Sequence, residues 1–311
     1  MDLDLGQVRA FVAVVDHGRF GRAAQSLNLT QQALSKRVAR LERELCPLLE
    51  RRRGGVELTA AGARFLPAAR RMLEVADHAV ADLRGAPPAP LRVDVWGELH
   101  PPARLVRAVA REQPDLTVEL SMRRDLVQAV GALERHELDV AFGNAANLAD
   151  ELPAELSAEL VTTDPIAVLV NARGPLAARE HVTPDDLVRL GIWWPTAGSS
   201  PEVRAYADEY ARSIGAPLTS DGRNLGLDAL VERIAADPGL VAPVAAAWPL
   251  AGRDAVRVVP LRPTPHYPWY AVWRTAAQHP ALPRLLWALR AGAPPPERTA
   301  ATWLPRGVGA G

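Results

Sequence analysis

The stretch TQQALSKRVARLEREL, residues 30–45, constrains the fold of the N-terminal part of the chain most strongly. Leu34, Val38 and Leu41 recur at helical spacing and therefore define one apolar side of a helix. Thr30 precedes this helix as a suitable N-cap, because its hydroxyl can accept a hydrogen bond from a free backbone N–H. The other side of the helix carries polar and cationic residues: Gln31, Gln32, Ser35, Lys36, Arg37 and Arg40. The pattern predicts a helix that rests on a small core and offers its outer face to a partner.

The segments on either side of this helix contain further predicted helices and a β-hairpin. Helices are predicted over residues 4–17 and 20–27, and a β-hairpin is predicted where Val56 and Leu58 alternate after Gly54-Gly55. Three cations lie at the tip of this hairpin: Arg51, Arg52 and Arg53. This order is typical of a winged helix-turn-helix, in which the third helix enters a DNA groove and the wing contacts phosphates or the minor groove.

Charge is unevenly distributed along the neutral chain. Residues 19–71 contain twelve arginines and lysines against four acids, a net charge of +8 that the remaining residues balance. Such asymmetry indicates a nucleic-acid-binding end joined to a more acidic body. A solvated basic face without a partner is the alternative.

A long helix is predicted over residues 61–86, with an apolar seam that steps by three and four residues. Its members are Phe65, Ala69, Met72, Ala76, Ala79 and Leu83. We expect the seam to form a dimer interface, because two-fold symmetry helps a DNA-reading protein; packing on the protein's own body is the alternative. Pro67 predicts a local kink or an early start, and the proline-rich residues 86–90 predict a stiff linker.

The second part of the chain alternates strands and helices. Strands are predicted at 91–96, 116–122 and 138–143 around two helices, which is typical of a parallel sheet, and a second such set follows from residue 164. Residues 293–311 are expected to form a flexible tail. Cys46 is the only cysteine, no run of about 18 apolar residues occurs, and no signal segment is evident, so we expect a cytoplasmic protein without a disulfide.

Three segments occur in the order and spacing of a known family: FVAVVDHGRFGRAAQSLNLTQQALSKRVARLERELC, PLLERRRGGVELTAAGARFLPAARRML and LRVDV. The chain resembles the LysR-type transcriptional regulators over roughly residues 3–290. It departs from the family before the wing, where Cys46-Pro47 follows Leu45 without the usual glycine and the segment is one residue shorter. A tighter approach to the wing is expected there.

The resemblance implies a multidomain protein, mainly α-helical at the N-terminus and α/β beyond it. A winged helix-turn-helix (1–60) and a dimerising linker helix (61–86) would precede an effector domain similar to periplasmic binding proteins. The effector domain would have one lobe at 91–161 and 266–292 and another at 162–265. Implied partners are operator or promoter DNA, a small-molecule effector, further copies of the chain as a dimer or tetramer, and RNA polymerase.

The resemblance also implies which residues contact DNA. Base-reading positions fall on Gln31, Ser35 and Lys36 or Arg37, and glutamine and basic side chains are suited to adenine and guanine edges. The remaining DNA contacts expected are Arg22, Thr30, Gln32, Arg40, Arg51, Arg52 and Arg53.

Effector contacts are expected in three loops of the second part. Trp96, Glu98 and His100 follow the first strand, and Glu98 would favour a cationic, zwitterionic or hydrogen-bond-donating ligand. A solvated Glu98, or one paired with an arginine, is the alternative. Thr196, Ser199 and Ser200 precede a helix whose N–H groups could hold an anion, and Asn224 precedes another. The other tryptophans are expected to pack in the core or between lobes: Trp193, Trp194, Trp248, Trp269, Trp273 and Trp287.

Other classes of function fit less well. The sequence has no glycine-rich phosphate loop, nucleophile elbow or metal-ligand spacing, so no enzyme activity, cofactor or metal is expected. A small-molecule-binding protein with a basic, non-specific DNA-binding surface remains the alternative to a sequence-specific regulator.

Overall fold

The computed structural model describes residues 3–52, 55–83, 89–123, 125–148, 152–195, 199–222, 226–250, 252–276, 278–291 and 297–308. The chain divides into two compact units. The N-terminal unit comprises residues 1–90 with the short segment 134–137, and the C-terminal unit comprises 91–133 and 138–311.

Four helices and one hairpin form the N-terminal unit: α1 (Leu5–His17), α2 (Phe20–Ser26), α3 (Gln31–Glu44), β1 (Leu49–Arg52), β2 (Gly55–Leu58) and α4 (Ala60–Leu83). Asp4 begins α1 by accepting the N–H groups of Gly6 and Gln7, and Gly18 ends it in a left-handed conformation that glycine adopts without strain. Phe11, Leu41 and Leu48 are fully buried, so α1, α3 and the start of the hairpin share one core. The helix-turn-helix predicted from the sequence is therefore present.

The C-terminal unit has six helices and ten strands among its described residues, apart from one short 3₁₀ turn. The first elements are β3 (Leu91–Asp94), α5 (Pro101–Glu112), β4 (Val118–Ser121), α6 (Leu126–Glu134), β5 (Val140–Gly143) and β6 (Leu156–Asn171). The next are α7 (Pro184–Leu190), β7 (Ile192–Trp193), α8 (Pro201–Ile214), β8 (Leu218–Thr219), α9 (Leu227–Ala236) and β9 (Val241–Ala245). The last are β10 (Val256–Pro260), β11 (Thr264–Arg274), α10 (Leu282–Arg290) and β12 (Thr302–Trp303).

Two long strands connect the two lobes of this unit. β3 pairs in parallel with β4 and β5, and β5 pairs with β11 to build the first lobe. The first half of β6 pairs with β11, while its second half pairs with β9 and β10 in the second lobe. Because β6 and β11 pass through both lobes, side chains along them lie where the lobes meet.

A buried ion pair holds the first lobe together. Asp139 is 1 % exposed and accepts a hydrogen bond from Arg92 Nη2 at 2.8 Å and from Arg274 Nη2 at 3.3 Å. Burial alone would raise the pKa of Asp139, but the hydrogen bonds and charge of Arg92 outweigh it and lower that pKa below its ordinary value. The carboxylate is therefore ionised and links β3, β5 and β11.

The structure corrects the expected flexible tail for residues 297–308. β12 pairs in parallel with β11, Trp303 contacts Tyr206 and Tyr210, and Leu304 is 2 % exposed. The prediction followed the proline and glycine content and gave too little weight to the apolar residues of this segment, whose burial fixes it. Residues 293–296 and 309–311 lie outside the described residues.

No helix among the described residues is long and apolar enough to cross a membrane.

Candidate functional site

Helix α3 presents its polar side to solvent, as the sequence predicts. The Thr30 hydroxyl accepts a hydrogen bond from the Ala33 N–H at 3.2 Å, and Leu34, Val38 and Leu41 are buried below it. Ser35 is half-buried. The other residues predicted to contact DNA from this helix and from α2 are exposed: Arg22, Thr30, Gln31, Gln32, Lys36, Arg37 and Arg40.

Several of these cations are available to a partner. Within the described ranges, Arg22, Lys36 and Arg37 have no carboxylate partner. Arg40 pairs with Glu44 at 3.4 Å, but its side chain is 66 % exposed, and a pair of this kind contributes little. Arg51 and Arg52 belong to β1 with side chains outside the description, and Arg53 lies outside the described residues altogether.

Glu42 connects α3 to the hairpin, a role that the sequence analysis missed. Its Oε1 accepts the backbone N–H of Leu48 at 2.8 Å and of Leu49 at 2.9 Å. The segment before the hairpin also lies close to α4, since a Cβ added at Gly62 of that helix would lie 2.0 Å from the Leu48 carbonyl oxygen. The shortened segment before the hairpin is thus held tightly against both α3 and α4.

The predicted dimerisation seam divides into two parts. Phe65, Ala69 and Met72 pack on the core of their own unit, with the Phe65 ring 5.6 Å from that of Phe11. This first part of the seam therefore packs on the protein's own body, which was the alternative to a dimer interface. Farther along α4, Ala76 is half-buried and Leu83 is 89 % exposed. The Ala79 side chain lies outside the description.

A cluster of aromatic side chains fills the region where the two lobes meet. Trp96 follows β3, and its ring lies 4.9 Å from that of Trp269 and 5.9 Å from that of Tyr267, both on β11. Tyr206 of α8 contacts Tyr267 at 5.0 Å, and His100 contacts Trp269 at 5.2 Å. Two of the predicted effector residues, Trp96 and His100, are therefore brought together with side chains from two other elements, β11 and α8.

Among the described residues, five buried polar atoms of this cluster have no hydrogen-bond partner, including one of Trp248, whose ring lies 6.1 Å from that of His100. They are Nε1 of Trp96, Trp248 and Trp269, and the hydroxyl oxygens of Tyr206 and Tyr267. Burying such groups without a partner costs free energy, so a cluster of them marks a place where a ligand or water would be stabilised. Trp269 and Trp273 are buried as expected, whereas Trp287 is 68 % exposed, contrary to its predicted packing role.

Asp164 is the buried carboxylate of this region, and the sequence analysis did not identify it. It lies on β6 directly opposite Tyr267 in the strand register and is 3 % exposed. Burial raises the pKa of Asp164 to about 6, against a smaller lowering by the charge of Arg104. Burial, and to a smaller extent the charge of Arg104, lower the pKa of His100 to about 4.

The structure places Glu98 differently from the expectation. Its side chain is 64 % exposed and forms an ion pair with Arg107, which is the alternative that the sequence analysis left open. The Ser200 hydroxyl caps α8 by accepting the Val203 N–H at 3.3 Å, and Ser199 is half-buried. Thr196 and Asn224 lie outside the described residues.

A second buried carboxylate, Glu202, occupies the first turn of α8. Its oxygens accept the backbone N–H of Leu126 at 2.8 Å and of Asn144 at 2.6 Å, so α8 is attached to the first lobe. Burial raises the pKa of Glu202 to about 8, although both hydrogen bonds act in the opposite direction. An acidic side chain therefore already occupies the first turn of the helix that was expected to hold an anion.

Among the described residues, no group of three histidine, cysteine or acidic side chains could hold a metal ion.

These features define a class of protein, in which a winged helix-turn-helix precedes a two-lobed α/β domain with a polar, aromatic centre. Residues 5–63 match the model of the bacterial regulatory helix-turn-helix protein, lysR family, and residues 99–294 match the LysR substrate binding domain. The chain belongs to the LysR family.

Curated relatives and solved structures agree with this assignment. The chain is 35 % identical to the regulator ClcR of Pseudomonas putida over 147 residues, covering 45 % of this chain and half the length of ClcR. It is 33 % identical over 239 residues to the SDS degradation transcriptional activation protein of Pseudomonas sp. (strain ATCC 19151), covering 72 % of each protein. A full-length OxyR variant from Pseudomonas aeruginosa shares the fold with a TM-score of 0.67 at 21 % identity, covering 94 % of this chain and 99 % of OxyR. CbnR bound to its target DNA shares it with a TM-score of 0.55 at 21 % identity, covering 93 % of this chain and 99 % of CbnR.

Proposed function

We propose that the protein is a sequence-specific transcriptional regulator whose DNA binding responds to a small molecule held between its two lobes. The observation that carries this proposal is the exposed face of α3, where Gln31, Lys36 and Arg37 stand without partners among the described residues. Amide and basic side chains on a helix of this kind read adenine and guanine edges in the major groove. Family membership supports the same function.

The effector site of this proposal is the aromatic centre that contains Trp96, His100 and Tyr267. A ligand there would contact both lobes and so change how they close, because the surrounding side chains come from both. The consequence for transcription would be a changed arrangement of subunits on DNA, as a dimer or a dimer of dimers, and a changed contact with RNA polymerase.

Fluorescence anisotropy with DNA from upstream of the protein's own gene tests the DNA-binding part. We expect tighter binding to this DNA than to a scrambled duplex across a salt series, and we expect the preference to collapse in a Ser35→Ala, Lys36→Ala double variant. Arg257→Ala is a matched control, since Arg257 is exposed on β10 in the other unit.

The result also separates the two candidate functions. Equal, weak and salt-sensitive binding of both duplexes would contradict a sequence-specific regulator and favour a ligand-binding protein with a basic surface.

A further inference from the structure

The buried Asp164 carboxylate receives neither a hydrogen bond nor an ion pair from the part of the chain that the structure describes, although the residue is only 3 % exposed. An ionised group in such a position is destabilising unless something compensates for its lost hydration. The compensating partner is therefore to be sought in a ligand.

The surroundings of Asp164 are suited to a positive charge. Tyr267, its register neighbour on β11, contacts Trp96 at 5.9 Å, Trp269 at 5.1 Å and Tyr206 at 5.0 Å. The faces of aromatic rings attract cations, and this attraction strengthens where water is excluded. Asp164 thus lies opposite one ring of a four-ring cluster, an arrangement that resembles the chemistry by which proteins bind ammonium groups.

The other titratable groups of this region leave Asp164 as the source of negative charge. Glu202 is a second buried acid, but burial raises its pKa to about 8, so it is largely neutral near pH 7, whereas the pKa of Asp164 is about 6. His100 is neutral at physiological pH because its pKa is about 4, so it does not repel a cation. Arg104 is the cation whose charge acts on Asp164, but it is exposed and donates a hydrogen bond to the Leu99 carbonyl at 2.7 Å.

We propose that the effector is a small organic cation whose ammonium group binds the Asp164 carboxylate and whose apolar part contacts the rings around Tyr267. This inference rests on the proposed function, because it takes the aromatic centre as the effector site. The rings are in contact with one another, so a ligand that reaches Asp164 must displace a side chain. His100 is the candidate for displacement, since it is half-buried and contacts Trp248 and Trp269.

Calorimetric titration of the full-length chain, followed in parallel by tryptophan fluorescence, tests the ligand class. The probes are phenethylamine, tetramethylammonium, the neutral phenethyl alcohol and the anionic phenylacetate. We expect both cations to bind, and phenethylamine to bind at least about tenfold more tightly than phenethyl alcohol, as a charge-assisted hydrogen bond requires. Equal or tighter binding of phenylacetate, or no binding of either cation, would overturn the proposal.

Three variants assign the effect to Asp164. Asp164→Asn should remove the preference for phenethylamine over phenethyl alcohol, whereas Asp115→Asn, at an exposed carboxylate paired with Arg284, should preserve it. Arg104→Ala should tighten cation binding several-fold, because it removes the opposing charge. The Arg104 result keeps the proposal testable if Asp164→Asn does not fold, and unchanged affinity in Arg104→Ala and Asp164→Asn would contradict it.

Repeating the titration on the DNA-bound protein distinguishes the two proposals. Cation binding that leaves DNA affinity and bending unchanged would uphold the ligand class and reject the effector role. A response of DNA binding to phenylacetate or phenethyl alcohol, without a response to the cations, would uphold the effector role and reject the ligand class.

Discussion

The carboxylate of Glu202 lies 2.6 Å from the backbone nitrogen of Asn144, at the end of a strand in the other lobe. The hydrogen bond and its companion to Leu126 are the buried polar contacts by which the first turn of α8 is held to the first lobe. Their strength depends on the protonation of one side chain, which makes the attachment of α8 sensitive to pH.

Glu202→Gln should destabilise the effector domain. The amide retains one acceptor oxygen and places its NH₂ group against a backbone donor, so one of the two hydrogen bonds is lost. The expected decrease in the free energy of unfolding is about 1–3 kcal/mol, measured by chemical denaturation near neutral pH. Glu209→Gln on the same helix is a comparison, and an equal effect of both substitutions would contradict a specific role for Glu202.

The pH dependence of stability should carry the signature of Glu202. Since burial raises the pKa of this group, its contribution to stability is fully present below its ordinary pKa of 4.5 and is lost as the pH rises through about 8. The free energy of unfolding of the wild-type chain should therefore decline as the pH rises from about 4.5 to about 8 and level off above that. Glu202→Gln, which does not titrate, should show a shallower decline over the same range.

Asp164→Asn should stabilise the ligand-free protein at alkaline pH. The pKa of Asp164 is raised to about 6, so its charged form costs stability above that pH, and the asparagine removes the charge. The expected gain is on the order of 2 kcal/mol near pH 8 and should disappear near pH 4, where the aspartic acid is neutral. Thermal unfolding of both proteins at the two pH values measures this, and a loss of stability at pH 8 would show that the carboxylate has a partner.

Glu42→Ala should loosen the hairpin from α3. Two backbone N–H groups, of Leu48 and Leu49, would lose their acceptor, which should cost about 1–3 kcal/mol and weaken DNA binding. Glu44→Ala is the matched control, because Glu44 makes only the exposed pair with Arg40. Hydrogen exchange at residues 48 and 49 would report the change directly, and equal protection in both variants would count against this role.

Leu83→Glu should weaken self-association through α4. Leu83 is 89 % exposed and Val80 is 44 % exposed, so the substitution leaves the isolated subunit intact while it places a charge in the expected interface. The dissociation constant of the dimer should rise about tenfold or more in sedimentation experiments. Val127→Glu, at a position 53 % exposed on α6, should have no such effect; an unchanged dimer in Leu83→Glu would place the interface elsewhere.

Arg22→Ala should reduce the salt dependence of DNA binding. Each phosphate contact contributes about one unit to the slope of log affinity against log salt concentration, and Arg22 is exposed without a carboxylate partner among the described residues. The slope should fall by about one unit for operator DNA, whereas Arg257→Ala should leave it unchanged. A lower affinity with an unchanged slope would instead indicate a base contact.

The N-terminal unit could be predicted closely because its helices follow from local signals. Thr30 caps α3, as the sequence indicates, and α1 ends at His17, where the predicted helix also ends. The long strand β6 was only half predicted, since its first part, residues 156–163, alternates weakly and gains its conformation from pairing with β11. Local pattern carries no information about that pairing.

The aromatic centre was predicted only in part for the same reason. Trp96 and His100 were expected from the loop after the first strand, but Asp164 and Tyr267 are adjacent through strand register and not through sequence. Glu98 was considered as an effector contact because it lies in the loop after the first strand of the second part, and its side chain instead pairs with Arg107, as the alternative had it. Which carboxylate is buried depends on tertiary contacts that spacing does not reveal.

Trp303 packs on Tyr206 and Tyr210, so a change in the C-terminal segment affects helix α8. It clamps the same helix that bears Glu202, and the Arg306 N–H donates to Glu209 on that helix at 2.7 Å. Proteolytic removal of Trp303, or a bulky fusion attached just after Val308, would therefore disturb the packing of the aromatic centre. A tag placed there would therefore change how the protein responds to a ligand.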